Sequence, residues 1–382
     1  MEVSSHQREF QRRERLLSLL LSKILKRQLE PAVYEALGDL RVGFAKLRKG
    51  DDAARRKKLL ALIDRLEPEA LSQIVRAVNI YFSLLNIAEE SIALDERRRA
   101  IRATAHMWPG SFHDTLFALK GRGVGTQELQ QLIGQLCFMP VITAHPSEAR
   151  RRTIKGALRN IFLSMEALND SRLRGVFRTE AMQRLSSQIQ VLWKTDEVRA
   201  SKPDVRDELR AGLSYFPLSL FQATVQVYRN LRRGVRDVYG EEALLGLKVS
   251  RLLRFGSWIG GDRDGHPLVT AEVTNLAWQM QARTALEEYL RRIEQLSDQL
   301  SYSIRMCQPS AAFLASLEDD AQYAALRFSA QPNRHQQEPY RRKLEIMRYR
   351  IRRNVALVQA AIDGEDIGSD ELGYASAEGL LH

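Results

Sequence analysis

The chain has 382 residues, 44% hydrophobic and 27% charged, a globular composition with enough apolar material for one large domain or two. Its two cysteines, Cys137 and Cys307, stand far apart in no metal-ligand spacing, so a reduced, cytoplasmic protein is the simplest setting. The net charge of +11 comes from arginines spread along the chain, not from one basic block. Nucleic acid, an anionic small substrate and a solvated surface are all compatible with it.

Glycine (22) and proline (11) are scarce, so the intervals between breakers are long and helix should dominate. Residues 8–30 set Leu16, Leu20 and Ile24 among charges, a first amphipathic helix. Basic residues before Leu16–Leu21 superficially suggest a signal peptide. The apolar run is only six residues, charged on both sides, with no small-residue cleavage site after it, so a signal peptide and a membrane span are rejected there. Residues 51–66 repeat the pattern after a Lys49-Gly50-Asp51-Asp52 turn. In 68–90 the residues Leu71, Ile74, Val75, Val78, Phe82 and Leu85 read as one buried helical face. Met107-Trp108-Pro109-Gly110 breaks the pattern, and a further helix near 126–136 leads to the first notable stretch.

That stretch is Val141-Ile-Thr-Ala-His-Pro-Ser-Glu-Ala-Arg-Arg-Arg-Thr153: a short apolar strand, a histidine fixed by a proline, then arginines opening a helix to about 170. Helices over 176–200, with Leu185, Ile189, Leu192 and Trp193 on one face, and over 218–239 follow, separated by Lys202-Pro203-Asp204. The second stretch is Phe255-Gly-Ser-Trp-Ile-Gly-Gly-Asp-Arg-Asp-Gly-His-Pro267, a strand within 247–259 running into a glycine-rich turn, with Trp258 expected to pack. Thr270 is the expected N-cap, and Glu272 a first-turn acid, of a helix running past 290. Residues 308–335 read as partly irregular and 338–361 as a strongly basic helix. The last twenty residues are acidic, and Ala375–Leu381 looks like the first turns of a helix. No fixed-period repeat or low-complexity segment is present.

Arginines at a helix start concentrate positive charge where backbone N–H groups are free, which makes an anion site. A histidine beside it can carry a proton near neutral pH. Taken alone, the first turn reads more readily as a structural histidine and a solvated arginine run. The second reads as a glycine-rich loop in which Asp262 and Asp264 flank and orient Arg263, either for an anion or as a structural ion pair.

Together the two stretches are specific. The His145 turn resembles the histidine signature of the phosphoenolpyruvate carboxylases, usually T-A-H-P-T-[E/Q]-x-x-R-[R/K/H], and Gly260-Gly261-Asp262-Arg263-Asp264-Gly265 resembles that family's glycine-rich turn. Leu192-Trp193-Lys-Thr-Asp-Glu-Val-Arg199, Asp207–Tyr215, Arg76–Glu90 and Glu338–Leu344 resemble intervening and flanking segments in order, so the likeness covers essentially the whole chain. Ser147 replaces the usual threonine and His266 the usual asparagine. The larger departure is length: the likeness covers only the N-terminal part of the family's chain.

The resemblance implies a lyase of carbon dioxide fixation. It would convert phosphoenolpyruvate and bicarbonate, with Mg²⁺ or Mn²⁺, into oxaloacetate and phosphate through carboxyphosphate and enolpyruvate, supplying the tricarboxylic acid cycle. It implies His145 as the catalytic histidine and Arg151, Arg152 and Arg263 as substrate-binding candidates. Asp262, Asp264, Gly260 and Gly261 become site wall or structure, and the metal ligands, the catalytic lysine and a mobile glycine–arginine loop fall in the absent C-terminal part. The implied fold is mainly α: a helical region over 1–135, then over 136–382 the first strands, near 137–144 and 253–259, of an incomplete α/β barrel with long helical insertions. A homo-oligomer, a tetramer in the family, is expected, with no membrane association. Two readings follow: a catalytic polypeptide cut short, hence inactive alone, or a non-catalytic N-terminal half acting as an assembly or regulatory subunit. A nucleic-acid binder rests on charge alone.

Overall fold

The computed structural model describes residues 5–104, 107–143, 152–170, 172–196, 204–249, 252–264, 266–365 and 371–381. The first helices are α1 (Ser5–Gln28), α2 (Pro31–Leu47), α3 (Ala53–Asp64), α4 (Pro68–Thr104), α5 (Phe112–Gly121) and α6 (Thr126–Gln135). Strand β1 (Val141–Ile142) precedes α7 (Arg152–Leu168), α8 (Gly175–Lys194) and α9 (Val205–Leu213). A π-helical turn, Phe216–Leu220, leads into α10 (Phe221–Tyr239) and α11 (Glu241–Gly246). Strand β2 (Gly256–Ser257) is followed by α12 (Ala271–Gln299), α13 (Ala311–Asp319), α14 (Ala321–Arg327), α15 (Pro339–Asp363) and α16 (Ala377–Leu381). The chain is mainly helical, as its composition implies.

Two compact units divide the chain: Met1–Arg122 with Ser147–Lys202, and Gly123–Pro146 with Pro203–His382. In the first, α1 packs on α4, and α7 packs on α4 and α8. Their shared core is built from Leu17, Leu21 and Ile24 of α1, Ile80 and Leu84 of α4, Ile161 and Met165 of α7, and Leu185, Ile189 and Leu192 of α8. Each such side chain, fully buried, contributes roughly 1.5–3 kcal/mol over its exposed state. Arg13 is 5% exposed in this unit, and its guanidinium donates to Ser91 Oγ and the Asp95 carboxylate. Ser91 in turn donates to Glu166 at 2.7 Å.

The face expected to bury on α4 is corrected. The core stripe is Ile74, Ala77, Ile80, Leu84, Ile87 and Ala88, whereas Val75, Val78 and Phe82 are exposed. The helix carries two apolar stripes, and periodicity alone does not say which one its neighbours cover. For the same reason α4 is the one helix among the described residues long and apolar enough, by length and composition, to cross a membrane.

Other expectations shift at element ends. Helix α8 stops at Lys194, where Thr195 turns extended (ψ 123°), short of the expected 200. The stretch read as partly irregular holds α13 and α14, because Ser310 caps α13 by accepting from the Phe313 N–H at 3.2 Å. Helices α2, α5, α9 and α11 lie outside the segments that the sequence predicts as helix. The cap residues Ser111 of α5 and Asp204 of α9 were the readable signals, since each side chain accepts an N–H of the first turn.

In the second unit α12 and α15 form the main helix pair, burying Ile293, Leu344 and Ile351. Acids within and around the basic helix α15 meet several of its charges. Glu345, 5% exposed, accepts from Arg327 and Arg348, and Asp320 meets Lys343 at 2.7 Å. The Arg350 guanidinium is sandwiched between Tyr323 and Tyr374, at 3.9 and 3.8 Å from their ring centroids. Asn354 pins Tyr374 by its backbone, accepting its N–H and donating to its carbonyl, so the segment leading to α16 lies on α15.

Candidate functional site at the ends of the strand pair

The two notable stretches meet as a parallel pair. Val141 aligns with Gly256 and Ile142 with Ser257, and a bridge between Phe138 and Leu253 extends the ladder. The Gly256 N–H donates to Pro140 O at 3.0 Å, and the Trp258 N–H to Ile142 O at 2.9 Å. Parallel strands point the same way, so Thr143, the last described residue before the His145 turn, leaves the pair at the same end as Trp258. Among the described residues the regular ladder is shorter than the expected strands 137–144 and 253–259, of which residue 144 lies outside the description.

Glycine is required at two points. Gly260 has φ +76°, and a Cβ there would meet Ala277 Cβ at 2.9 Å and Leu209 Cδ2 at 3.2 Å. In Gly256, a Cβ would press on Val141 Cγ2 at 3.2 Å, so its absence lets the strands close. Gly261 and Asp262 then fold back, both N–H groups donating to Trp258 O, at 3.0 and 2.9 Å.

Asp262, Arg263 and Asp264 are all exposed where this turn leaves the strand pair. Of the two readings left open for Arg263, the ion pair with its neighbours is not formed. Arg263 Nη2 donates to Thr274 Oγ1 at 3.2 Å, and among the described residues it makes no ion pair with either aspartate. The Asp262 carboxylate instead accepts the Asp264 N–H at 3.1 Å, closing a local turn. Thr270 caps α12 as expected, accepting the Val273 N–H at 3.4 Å, and a hydrogen bond with the Thr270 side chain holds the Glu272 carboxyl below its usual range. Trp258, expected to pack, is 58% exposed.

Of the other candidates, His145 and Arg151 lie outside the described residues, and Arg152 is placed only as the first residue of α7. Sequence reasoning missed a small apolar cavity of about 200 Å³ beside the strands, lined by Ile142, Phe216, Phe255, Ile259, Gln281 and Thr284. Phe216 meets Phe255 edge-on with centroids 5.1 Å apart. The signal available was the density of aromatics, since Phe216 and Phe221 line the cavity together with Phe255.

Among the described residues no three His, Cys, Asp or Glu side chains gather as a metal site. They do not make a cradle for a divalent ion.

The family model for phosphoenolpyruvate carboxylase matches residues 10–382. The chain belongs to the phosphoenolpyruvate carboxylase family. It is 32% identical over 350 residues to the phosphoenolpyruvate carboxylase of Roseiflexus castenholzii, covering 91% of this chain and 37% of that protein. Against the phosphoenolpyruvate carboxylase of Chromobacterium violaceum it is 33% identical over 358 residues, 93% of this chain and 37% of the relative. The Thermus thermophilus phosphoenolpyruvate carboxylase shares 33% over 288 residues, 75% of this chain and 32% of the relative. The chain thus spans about a third of the length of these phosphoenolpyruvate carboxylases.

Proposed function

We propose that this chain supplies the histidine-bearing share of a phosphoenolpyruvate carboxylase site and is inactive alone. The observation that carries the reading is the parallel pair, which sends the His145 stretch and the Gly260–Asp264 turn off the same end of two adjacent strands. In barrel-like α/β folds that end is where chemistry gathers. The reaction is formation of oxaloacetate and phosphate from phosphoenolpyruvate and bicarbonate, a cytoplasmic, anaplerotic carbon dioxide fixation.

In this reading His145 moves the proton or handles carboxyphosphate, and Arg151 and Arg152 hold phosphate or support the histidine. Arg263 is the exposed cation at the second turn, free of neighbouring carboxylates and so available to an anion. Asp262, Asp264, Gly260 and Gly261 shape the wall. A divalent metal, Mg²⁺ or Mn²⁺, would neutralise developing charge on the enolate. Its ligands would come from the family's C-terminal two-thirds, together with the remaining strands.

The barrel region is taken as 136–382 and the helical region as 1–135. That partition starts at the first strand and differs from the compact units, in which 147–202 joins the N-terminal helices. Exposed Phe138, Met139, Val141 and Trp258 on and around the short strands support a sheet that further strands complete. Assembly as a family-type tetramer belongs to the same proposal.

The test is a coupled oxaloacetate assay on the chain alone and with the C-terminal part of a homologue added. Activity only in the mixture, lost in His145→Asn, is the expected result. Turnover by the chain alone would overturn the proposal, and so would a mixture whose activity survives that substitution.

A further inference from the structure

The second stripe of α4 lies in the unit that lacks the strand pair, and nothing in the reaction uses it. Leu71, Val75, Val78, Phe82 and Leu85 are spaced four, three, four and three residues apart, the a/d spacing of a coiled-coil seam. Val75 is 60% exposed and Phe82 57%. The stripe forms one wall of a groove of about 1050 Å³, whose floor includes Leu21 and Leu25 of α1 and whose other wall is Leu37 and Phe44 of α2. A concave apolar trough of this kind takes a helix laid along it.

The rim is basic. Arg41, Arg48 and Lys49 line one side and make no ion pair among the described residues. A second groove of about 760 Å³ shares Glu14, Ser18, Ser22 and Arg41 with the first and adds Arg12 and Arg15. The groove's two acids, Glu14, which accepts the Tyr81 hydroxyl at 2.8 Å, and Glu89, are outnumbered by the cations Arg41, Arg48 and Lys49. We propose that this groove docks an acidic amphipathic helix, with apolar residues at a/d spacing facing the Val75–Phe82 seam and carboxylates facing Arg41 and Arg48. A second copy of this chain fits less well, since two basic rims on chains of net charge +11 would face each other. A flat bilayer cannot follow the trough.

The test uses the full 382-residue chain and two fluorescein-labelled synthetic helices, both with leucine at a and d, one flanked by glutamate and the other by lysine. Anisotropy should show the glutamate helix binding about tenfold or more tighter than its twin, less so at high salt. Phe82→Asp, at an exposed position, should weaken binding about tenfold while leaving the thermal melt in place. Arg41→Glu with Arg48→Glu should invert the preference between the two helices. Equal affinity for both helices, no binding of either, or binding indifferent to Phe82→Asp would each overturn the proposal. So would a concentration-dependent dimer that Phe82→Asp dissolves, or anionic vesicles displacing the glutamate helix from the same seam.

Discussion

The backbone N–H of Trp258 donates to the carbonyl of Ile142 at 2.9 Å, the last hydrogen bond of the parallel ladder among the described residues. It ties the residue three before His145 to the residue two before Gly260. The Trp258 side chain, 58% exposed, takes no part in this; the tie is made by backbone alone.

Gly260→Ala should therefore damage the pair from beneath. The substitution puts an alanine at φ +76° with its Cβ 2.9 Å from Ala277 Cβ. A loss of about 1–3 kcal/mol is expected from the backbone strain, read from urea melts, whereas alanine at Gly134, where a Cβ meets nothing within 4 Å, should not cost stability by contact. Equal melts for the two variants would contradict the role given to Gly260.

Arg263→Ala should separate site from scaffold. The side chain is exposed and its bond to Thr274 is neutral at 3.2 Å, so the melt should move by less than about 1 kcal/mol. If Arg263 holds an anion, the activity of the complemented assay should fall on the order of a hundredfold. Undiminished turnover would return Arg263 to the wall.

Arg13 is the opposite case. Its guanidinium is buried against Ser91 and Asp95, and truncating it removes both charged hydrogen bonds, while Asp95, 19% exposed, keeps Arg98 at 3.6 Å and the Asn169 amide at 3.2 Å. Arg13→Ala is expected to lose about 1.5–3 kcal/mol, the cost of hydrogen bonds to a charged group. Arg98→Ala, at a side chain 49% exposed, should cost no more than about 1 kcal/mol.

Two groups link the stability of the second unit to pH. Burial pushes the Glu345 carboxyl up, but hydrogen bonds from Arg327 and Arg348 outweigh it and hold the group below its ordinary 4.5. A depressed carboxylate gives stability that is complete above that ordinary value and lost as pH falls through the folded one, so Glu345→Gln should flatten the acid limb of a stability profile. Tyr374 is raised from 10.0 to about 12, chiefly by burial. Its stabilising effect is complete below pH 10 and lost as pH climbs towards 12, and Tyr374→Phe should remove that alkaline dependence. Profiles unchanged by both substitutions would show that neither group is linked to folding.

Much of this was legible because it is local. The Thr270 cap, the break at Gly110, the helix leading out of Arg152 and the face of Leu185, Ile189 and Leu192 each follow from neighbours within two turns. The two stretches around His145 and Arg263 could be picked out because histidine–proline and paired glycines are dense in chemistry. What could not be read was which partner each group chooses. Arg263 sits between two aspartates in sequence and bonds Thr274 in space. Phe82 has the spacing of a core residue and the exposure of a surface one, because α1 and α7 occupy the other side of α4.

The bond between Trp258 and Ile142 also has a consequence in time. Between these residues the chain runs through α7 to α11, and part of that run belongs to the other compact unit. Closing so long a loop costs entropy before any strand bond is gained, whereas each helix closes its own bonds within a few residues. Strand pairing should thus be the late event of folding, with the helices already formed around an unjoined pair. Pulsed hydrogen exchange during refolding would show it as protection of the Trp258 amide after those of α12, and simultaneous protection would refute the order.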